Sequence, residues 1–367
     1  MPLTTTVSLL EGLVEDRRLV GWVAGVHRGG ATHVLAGGSR GIDGPEMTTD
    51  SLFALTSNTK PIAGALALAL VERGVLQMAD PVDEWLPELA SMQVLVRPDA
   101  PLDQTVPARR SITLHDLLTM TPGFGWVAEE GPLQQAMADL QLAPSGLAPA
   151  MSPEEYMRRL GSLPLANQPG ERWRYHTSSD VLGVLLSRAT GRPVGDLLEE
   201  YVTGPLGMDD TGFTGDPARL TTVHEETADG SLAPLDLGGR TLTAAPEFES
   251  LACGLVSTVD DYLKFLRALA DDGAPILAPE SALAMRTDQL TPQQRQGALG
   301  TLDEGCGWGH HVEVRPDGSI GWAGGFGTIG YANPRAGRAA ALFIPQTWAT
   351  SGVRSAADEF WGLLDQT

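Results

Sequence analysis

The chain has 367 residues, of which 42% are hydrophobic and 19% charged, and its formal net charge is −21 at pH 7. This composition is typical of a globular protein, and the length suffices for one large domain or two modest ones with a sizeable core. The large negative charge argues against nucleic acid and anionic membranes as partners, because their phosphates would repel it. The composition leaves the oligomeric state open.

The sequence gives no sign of a targeting segment or of redox chemistry. Residues 1–6 lack the basic start and the long apolar stretch of a signal peptide, and the longest apolar run, near residues 62–71, is too short to span a bilayer. The two cysteines, Cys253 and Cys306, lie in unlike contexts without the spacing of metal ligands. We therefore expect a cytoplasmic, reduced protein with no metal, no cofactor, and no membrane or nucleic-acid partner.

The first predicted elements are an amphipathic helix over residues 7–18 and a hairpin with strands over 21–27 and 32–36. The hairpin leads into Gly-Gly-Ser-Arg-Gly, which matches the Gly-x-Ser-x-Gly pattern with Ser39 at its centre. That motif carries a nucleophile only at a sharp turn from a strand into a helix. The Ile-Asp-Gly-Pro that follows favours an ordinary turn, so we do not expect Ser39 to be catalytic.

The apolar segment Ile62–Val71 predicts a buried helix with Pro61 in its first turn and Gly74 as its C-cap. Ser57 and Lys60 stand close to one turn apart at its start, which places them on one face. A serine hydroxyl needs a base beside it to become nucleophilic, and a lysine in a dry pocket can serve as that base. Such a pair also occurs by chance, with the serine as an ordinary N-cap. A single lysine entering a hydrophobic helix favours the catalytic interpretation.

The middle of the chain, residues 75–210, is predicted to be mainly helical. Helices are expected over residues 112–120, 152–161, 180–189 and 194–202. His115, in the first of them, is predicted to be a polar residue on a packed helix rather than an acid or a base. Phe124 and Trp126 follow a Pro-Gly turn and either line a substrate pocket or belong to the core; the sequence favours neither.

The last third of the chain returns to strands. We expect a helix over residues 259–269, strands over 308–314, 318–323, 328–333 and 339–345, and a final helix over 353–364. Strands near both ends with helices between them predict an α/β (α+β) fold, an antiparallel sheet flanked by helices. We expect a single domain over residues 1–367, with a discontinuous α/β part from about 1–74 and 251–367 and an inserted, mainly helical part from about 75–250.

Three motifs now stand in order: Ser57-x-x-Lys60, Tyr175-His176-Thr177 and Trp322-Ala-Gly-Gly. In this order they resemble Ser-x-x-Lys, Tyr-x-Asn and Lys-Thr-Gly of the serine β-lactamase and penicillin-binding-protein superfamily, in its class C-like branch. That branch also holds esterases, transesterases and D-amino-acid peptidases. The likeness runs from about residue 20 to the end and includes the phrases at 112–119, 204–208 and 254–258. It implies a β-lactamase/transpeptidase-like fold.

The resemblance also implies roles for the motif residues. Ser57 looks like the acylated nucleophile, and Lys60 like its base or the group that tunes its base. Tyr175 looks like the phenol that protonates the leaving group and later activates water. We expect the ammonium to lower the pKa of the phenol. The backbone N–H groups of Ser57 and Gly325 are the implied oxyanion hole. His176 offers an alternative Ser-His-Asp arrangement, with Ser57 or Ser178 as the nucleophile, but in an extended segment it would point away from a site that Tyr175 faces.

Two departures from the family motifs bear on the substrate. Thr177 replaces the asparagine that would bind an acylamide side chain, and Trp322 replaces a lysine that would attract a carboxylate. The tryptophan and the nearby Phe326 should favour neutral, apolar groups. The predicted substrate-binding residues are Trp322, Gly324, Phe326, Trp126, Phe124 and Thr177.

These features together predict a metal-free serine carboxylesterase that cleaves neutral esters through an acyl-enzyme. The expected partner is therefore a small-molecule ester or amide substrate. Three alternatives stay open: an amide-cleaving relative (a β-lactamase, a D-aminopeptidase or an amidase), an acyltransferase with an acceptor other than water, and a binding module without catalysis.

Overall fold

The computed structural model describes residues 2–365. Its strands, in chain order, are β1 (Gly21–Arg28), β2 (Ala31–Gly38), β3 (Phe53–Ala54), β4 (Gln93–Leu95), β5 (Thr105–Pro107), β6 (His224–Glu226), β7 (Leu232–Pro234), β8 (Val256–Ser257), β9 (Gly307–Trp308), β10 (Glu313–Val314), β11 (Ile320–Gly324), β12 (Thr328–Asn333) and β13 (Arg338–Phe343). Within the described range, seven of them form one antiparallel sheet in the order β2-β1-β13-β12-β11-β10-β9. The others pair as β3-β8, β4-β5 and β6-β7.

The helices lie on both faces of this sheet and in the segment between its two groups of strands. They are α1 (Pro2–Glu15), α2 (Thr59–Glu72), α3 (Leu114–Leu118), α4 (Pro132–Asp139), α5 (Pro153–Gly161), α6 (Thr177–Thr190), α7 (Val194–Leu198), α8 (Gly204–Leu206), α9 (Val259–Ala270), α10 (Pro279–Met285), α11 (Pro292–Arg295) and α12 (Ser351–Asp365). None of the helices in residues 2–365 combines the length and the apolar character that crossing a membrane requires.

Successive side chains of β1 point to opposite faces of the sheet, and each face packs against a different hydrophobic core. Trp22 and Ala24 face the core formed with α1 and α12, whereas Val23 belongs to the larger core on the other side. On that side α9 packs directly on the strands. A side chain at Gly25 would meet Leu263 at 2.6 Å, so a glycine is needed where this helix comes closest. Both faces of the sheet are therefore buried at β1, whereas the edge strand β2 is largely exposed.

Helix α2 is buried along almost its whole length. Every residue from Thr59 to Leu70 is buried, as expected for a helix that is hydrophobic all round. The C-cap is Arg73 rather than the predicted Gly74, which follows it with a left-handed φ of +70° in the position where a glycine commonly ends a helix. The helix begins three residues earlier than its apolar pattern predicted, and Asn58 rather than Ser57 is its N-cap.

Most other predicted elements are found close to their expected bounds, and the fold class is confirmed. The helix predicted over 112–120 ends at Leu118, and Met120 takes a positive φ of 56°. The strand predicted over 308–314 is instead two short strands, because a turn around His311 (φ 64°) interrupts it. Ser39 leads into no helix: it bridges to Glu46, and its hydroxyl donates to the carbonyl of Gly41 at 2.8 Å.

Candidate active site

The start of α2 brings Ser57 and Lys60 into contact. Ser57 lies in a short 3-10 turn, Thr56–Asn58, that runs directly into the helix, and its side chain is partly exposed. Lys60 lies in the first turn of α2 and is 0% exposed. Lys60 Nζ is 3.0 Å from Ser57 Oγ. The two side chains are thus within hydrogen-bond reach, the geometry that a serine nucleophile and its base require.

The amine of Lys60 is enclosed by further groups. Its Nζ donates to the carbonyl of Ala252 at 2.7 Å and lies 3.5 Å from His176 Nδ1. It also sits 4.7 Å from the centre of the Tyr175 ring. Burial lowers the pKa of Lys60 to about 8, although the nearby groups Cys253 and Asp180 act in the opposite direction. About a tenth of the amine is then neutral at pH 7, and about half at pH 8.

The turn that carries Ser57 is fastened to the end of β11. Thr56 takes a positive φ of 45°, which is strained for a β-branched residue, and its hydroxyl accepts from the N–H of Phe326 at 3.4 Å. A side chain at Gly324 would lie 2.2 Å from the carbonyl oxygen of Leu55, so only glycine permits this approach. Gly325 follows at the exposed tip of the strand. The third motif therefore lies alongside the turn that carries Ser57.

Tyr175 is held from several sides by aromatic rings. Trp322 Nε1 donates to the Tyr175 hydroxyl at 2.6 Å, and Trp173 stacks on the phenol ring with centroids 5.5 Å apart. Trp308 packs against both Trp322, at 4.9 Å, and Trp173, at 5.5 Å. This packing fixes the phenol next to Ser57, and the Trp322 contact directs the phenol's own proton away from the indole.

The expectation that Lys60 lowers the pKa of Tyr175 is wrong. Burial raises the pKa of the Tyr175 phenol, and hydrogen bonding with Ser57 and with Trp322 only partly offsets this. The physical reason is that burial removes the water that would stabilise a phenolate, and this cost exceeds the gain from the two hydrogen bonds. Tyr175 is therefore a neutral phenol over the physiological pH range, and Lys60 is the more readily available base.

The expected orientation of His176 is also wrong. The backbone is not extended there but forms a γ-turn, with φ 86° and ψ −70°, closed by a bond of 3.3 Å from the N–H of Thr177 to the carbonyl of Tyr175. This turn brings both Tyr175 and His176 to Lys60. Burial, followed by the charge of Lys60, lowers the pKa of His176 well below its usual value, so the imidazole is neutral. Ser178 is fully buried and therefore cannot meet a substrate as a nucleophile.

The structure places the predicted substrate-binding residues in three different environments. Trp322 (7% exposed), Gly324 and Phe326 lie beside the turn Thr56–Asn58 that carries Ser57. Phe326 also lines an apolar cavity of about 250 Å³. The side chain of Trp126 is exposed (51%), and its backbone N–H donates to the backbone carbonyl of Tyr175 at 2.8 Å. The remaining two residues are in the interior: Phe124 packs in the main hydrophobic core, and Thr177 is buried at the start of α6.

Sequence reasoning missed four groups around the site: Trp173, Trp308, Asp180 and the carbonyl of Ala252. Trp173 had a usable signal, because it stands two residues before Tyr175 and alternate side chains of an extended segment share a side. The carbonyl of Ala252 had none, since a backbone oxygen leaves no trace in the residue type. Among residues 2–365, no cluster of three or more His, Cys, Asp or Glu side chains is arranged to hold a metal ion.

Comparison with known proteins identifies the family. A family model described as Beta-lactamase matches residues 7–356. The chain belongs to the beta-lactamase family. It is 38% identical over 322 residues to Protein Rv1367c of Mycobacterium tuberculosis (strain ATCC 25618 / H37Rv), covering 82% of this chain and 79% of that protein. It is 33% identical over 324 residues to Esterase EstB of Burkholderia gladioli, covering 82% and 76%.

Solved structures agree with this family assignment. The structure of "EstCE1, a hydrolase with promiscuous acyltransferase activity" superimposes with a TM-score of 0.83 at 24% identity, covering 97% of this chain and 98% of that one. The likeness confirms the β-lactamase-type fold that the three motifs predicted. The chain is thus a member of a family of β-lactamase-fold serine hydrolases, with an esterase among its relatives.

Proposed function

We propose that this beta-lactamase family member is a carboxylesterase that hydrolyses uncharged esters through an acyl-enzyme on Ser57. The observation that carries the proposal is the 3.0 Å contact between Ser57 Oγ and the buried amine of Lys60. The relative named Esterase EstB supports ester cleavage over amide cleavage. The substrate would be a small-molecule ester.

In the first half of the reaction, Ser57 Oγ attacks the ester carbonyl carbon while neutral Lys60 accepts the serine proton. The oxygen of the tetrahedral intermediate becomes negative, and the backbone N–H groups of Ser57 and Gly325 are the donors proposed to stabilise it. Tyr175, neutral because its pKa is raised, gives its proton to the departing alkoxide. Lys60 then returns the serine proton to the phenolate, so the two groups act as one coupled set.

In the second half, a water molecule attacks the acyl-enzyme. Its proton passes to the same coupled pair, Lys60 and Tyr175, and Ser57 leaves as the protonated hydroxyl. The hydrogen bond from Trp322 Nε1 to the phenol oxygen serves both halves, because it keeps the phenol's proton directed towards Ser57. The cycle ends with carboxylic acid, alcohol and the starting enzyme.

Trp322 also supports the preference for uncharged substrates. In the family motif a lysine at this position attracts a carboxylate. The indole N–H of Trp322 instead donates a hydrogen bond to Tyr175. Losing one charge–charge contact at 4 Å and an effective dielectric of 20 removes about 4 kcal/mol before desolvation. Even a third of that is about a tenfold loss in binding. We therefore expect ready hydrolysis of p-nitrophenyl esters and weak or no turnover of a chromogenic cephalosporin.

A pair of variants tests this charge preference. Trp322→Lys should raise the ratio of kcat/KM for the cephalosporin to kcat/KM for the ester by about tenfold relative to Trp322→Met. The methionine variant is the matched control, because it removes the indole N–H and adds no charge. Equal ratios in the two variants, or wild-type turnover of the cephalosporin as fast as the ester, would rule out this role for Trp322. Failure of both substrates while Ser57 still reacts with an organophosphonate would favour transfer to another acceptor.

The pH profile should identify the base. Lys60 must be neutral to accept the serine proton, and its pKa is lowered to about 8. The value of kcat/KM should therefore fall tenfold per pH unit below about pH 8 and reach a plateau above it. The measurement is the hydrolysis of a neutral ester from pH 5.5 to 9.5, corrected for the spontaneous reaction. A plateau that extends down to pH 6.5 would instead indicate a base other than Lys60.

A further inference from the structure

His176 has no part in the steps above, yet it touches the base. Its Nδ1 lies 3.5 Å from Lys60 Nζ, and the chain adopts a γ-turn with positive φ at this residue to bring it there. A positive φ at a residue other than glycine is costly and persists only where its surroundings hold it. The side chain is 7% exposed, so it makes this approach inside the protein. The contact therefore requires an explanation.

Three polar neighbours of Lys60 Nζ determine the directions of its N–H bonds and its lone pair. When neutral, the amine carries two N–H bonds and one lone pair. The carbonyl of Ala252, at 2.7 Å, can only accept a hydrogen bond and takes one N–H. If His176 Nδ1 is unprotonated, it also only accepts and takes the other. The lone pair is then left facing Ser57 Oγ at 3.0 Å, where a base must direct it.

Asp180 lies on the far side of the imidazole and favours the required tautomer. Its Oδ2 is 3.9 Å from His176 Nε2, while its Oδ1 accepts from Ser250 Oγ at 2.6 Å and from the N–H of Ala252 at 3.3 Å. A carboxylate facing Nε2 favours a proton on that nitrogen and leaves Nδ1 unprotonated. Burial raises the pKa of Asp180 to about 6, so the group is ionised at pH 8.

The other titratable groups around Asp180 do not compete for this role. Tyr156 on α5 and Cys253 before β8 are neutral at pH 8, since burial raises the pKa of the thiol to about 12 and holds the pKa of the phenol well above its usual value. Arg240 lies across a cavity of about 180 Å³ that Asp180 and His176 also line, and it bonds to the carbonyl of Ala148. The carboxylate is therefore the negative group that His176 Nε2 faces.

We propose that His176, oriented by Asp180, is a positioning residue that turns the lone pair of Lys60 towards Ser57. This inference rests on the proposed function, in which Lys60 is the base of an ester-cleaving Ser57. It assigns no proton transfer to the imidazole itself. Lys60 stands between the two, and His176 acts through it.

The first test compares two variants at position 176. His176→Leu removes the acceptor, whereas His176→Asn puts an amide oxygen near the place of Nδ1. We expect His176→Leu to slow the reaction of Ser57 with a p-nitrophenyl alkylphosphonate at pH 8 by about tenfold to a hundredfold, the worth of one or two hydrogen bonds. His176→Asn should recover at least half of that loss on a logarithmic scale. The same losses should appear in kcat for a neutral ester, with KM changed less than about twofold.

The readout separates this inference from the proposed function. If Ser57 of the wild type does not react with the phosphonate, the proposed function fails. If Ser57 reacts and His176→Leu reacts at the wild-type rate, the positioning role fails while the proposed function stands. His115→Leu is the control, because His115 packs against His310 rather than Lys60, and it should change the rate less than about twofold. A His176→Asn variant as slow as His176→Leu would also overturn the positioning role.

A double-mutant cycle tests the part of Asp180. In Asp180→Asn the amide oxygen keeps the bonds to Ser250 and Ala252, so the amide NH₂ faces Nε2 and favours the tautomer with a proton on Nδ1. That proton would oppose the N–H of Lys60, so this variant should be at least as slow as His176→Leu. Adding Asp180→Asn to His176→Leu should cost less than about threefold more. Additive losses would contradict the proposal.

A measurement on the wild type reports the tautomer of His176 directly. The ¹⁵N shifts of the His176 ring should report a neutral imidazole protonated on Nε2 from pH 6 to 9, assigned by comparison with His176→Asn or by selective labelling. An imidazole protonated on Nδ1 in this range would overturn the proposal, because it would present a donor to Lys60.

Discussion

Replacing Ser57 by alanine should lower ester turnover by about 10⁴-fold or more while leaving the protein folded. The hydroxyl is the only group in the proposed reaction that forms a bond to the substrate. Its removal leaves Lys60 bonded to the carbonyl of Ala252 and close to His176, so the buried amine keeps partners. The free energy of unfolding should therefore change by less than about 1.5 kcal/mol.

The measurement is kcat/KM for a p-nitrophenyl ester beside a urea unfolding curve for the same preparation. Ser39→Ala is the matched control, since Ser39 sits in the rejected Gly-x-Ser-x-Gly match and its hydroxyl bonds to the backbone carbonyls of Gly41 and Val20. It should retain wild-type turnover. If Ser57→Ala also retains turnover, another residue forms the acyl-enzyme and the proposed mechanism is wrong.

Removing either proton-transfer group should give the second largest effect. Lys60→Ala and Tyr175→Phe are each expected to slow acylation by about two to four powers of ten, the usual contribution of a positioned acid or base. The double variant should be only slightly slower than the worse single one, because both groups serve one proton path. Lys60→Met is a control for the cavity that alanine would leave, because it nearly fills the same volume without a base.

Pre-steady-state acylation rates of the single and double variants give the answer. Fully additive losses would mean that Lys60 and Tyr175 act independently. A Tyr175→Phe variant that stays fully active while His176→Leu loses all activity would reassign the base to the imidazole. The positioning role predicts only a partial loss of activity in His176→Leu, which differs from the complete loss that a histidine base would give.

Much of the site was predictable because its positions follow from local rules. The spacing of Ser57 and Lys60 at the start of an apolar helix fixes their contact once α2 forms, and the order of the three motifs indicates the fold. The glycines of the third motif were also informative: Gly324 must be a glycine because the carbonyl of Leu55 approaches it. These features depend on residue type and spacing, which a sequence displays directly.

The parts that sequence reasoning missed depend on backbone geometry and burial. In an extended segment the side chains of Tyr175 and His176 would point to opposite sides, but the positive φ at His176 brings both to Lys60. A histidine residue does not by itself indicate such a turn. The pKa of Tyr175 is raised rather than lowered because the folded chain buries the phenol, and the extent of this burial cannot be read from the residue type. The hydrogen bond from Trp322 to Tyr175 joins residues 147 positions apart. Tertiary packing decides all three.

The proposed mechanism requires that Ser57 is the residue that becomes acylated, and labelling followed by peptide mass spectrometry tests this directly. The protein is treated at pH 8 with a p-nitrophenyl alkylphosphonate, digested, and searched for the added mass. We predict one adduct, on Ser57, formed much more slowly in Lys60→Met. An adduct on Ser39 or Ser178 in place of Ser57, or complete loss of ester turnover with Ser57 unmodified, would contradict the account.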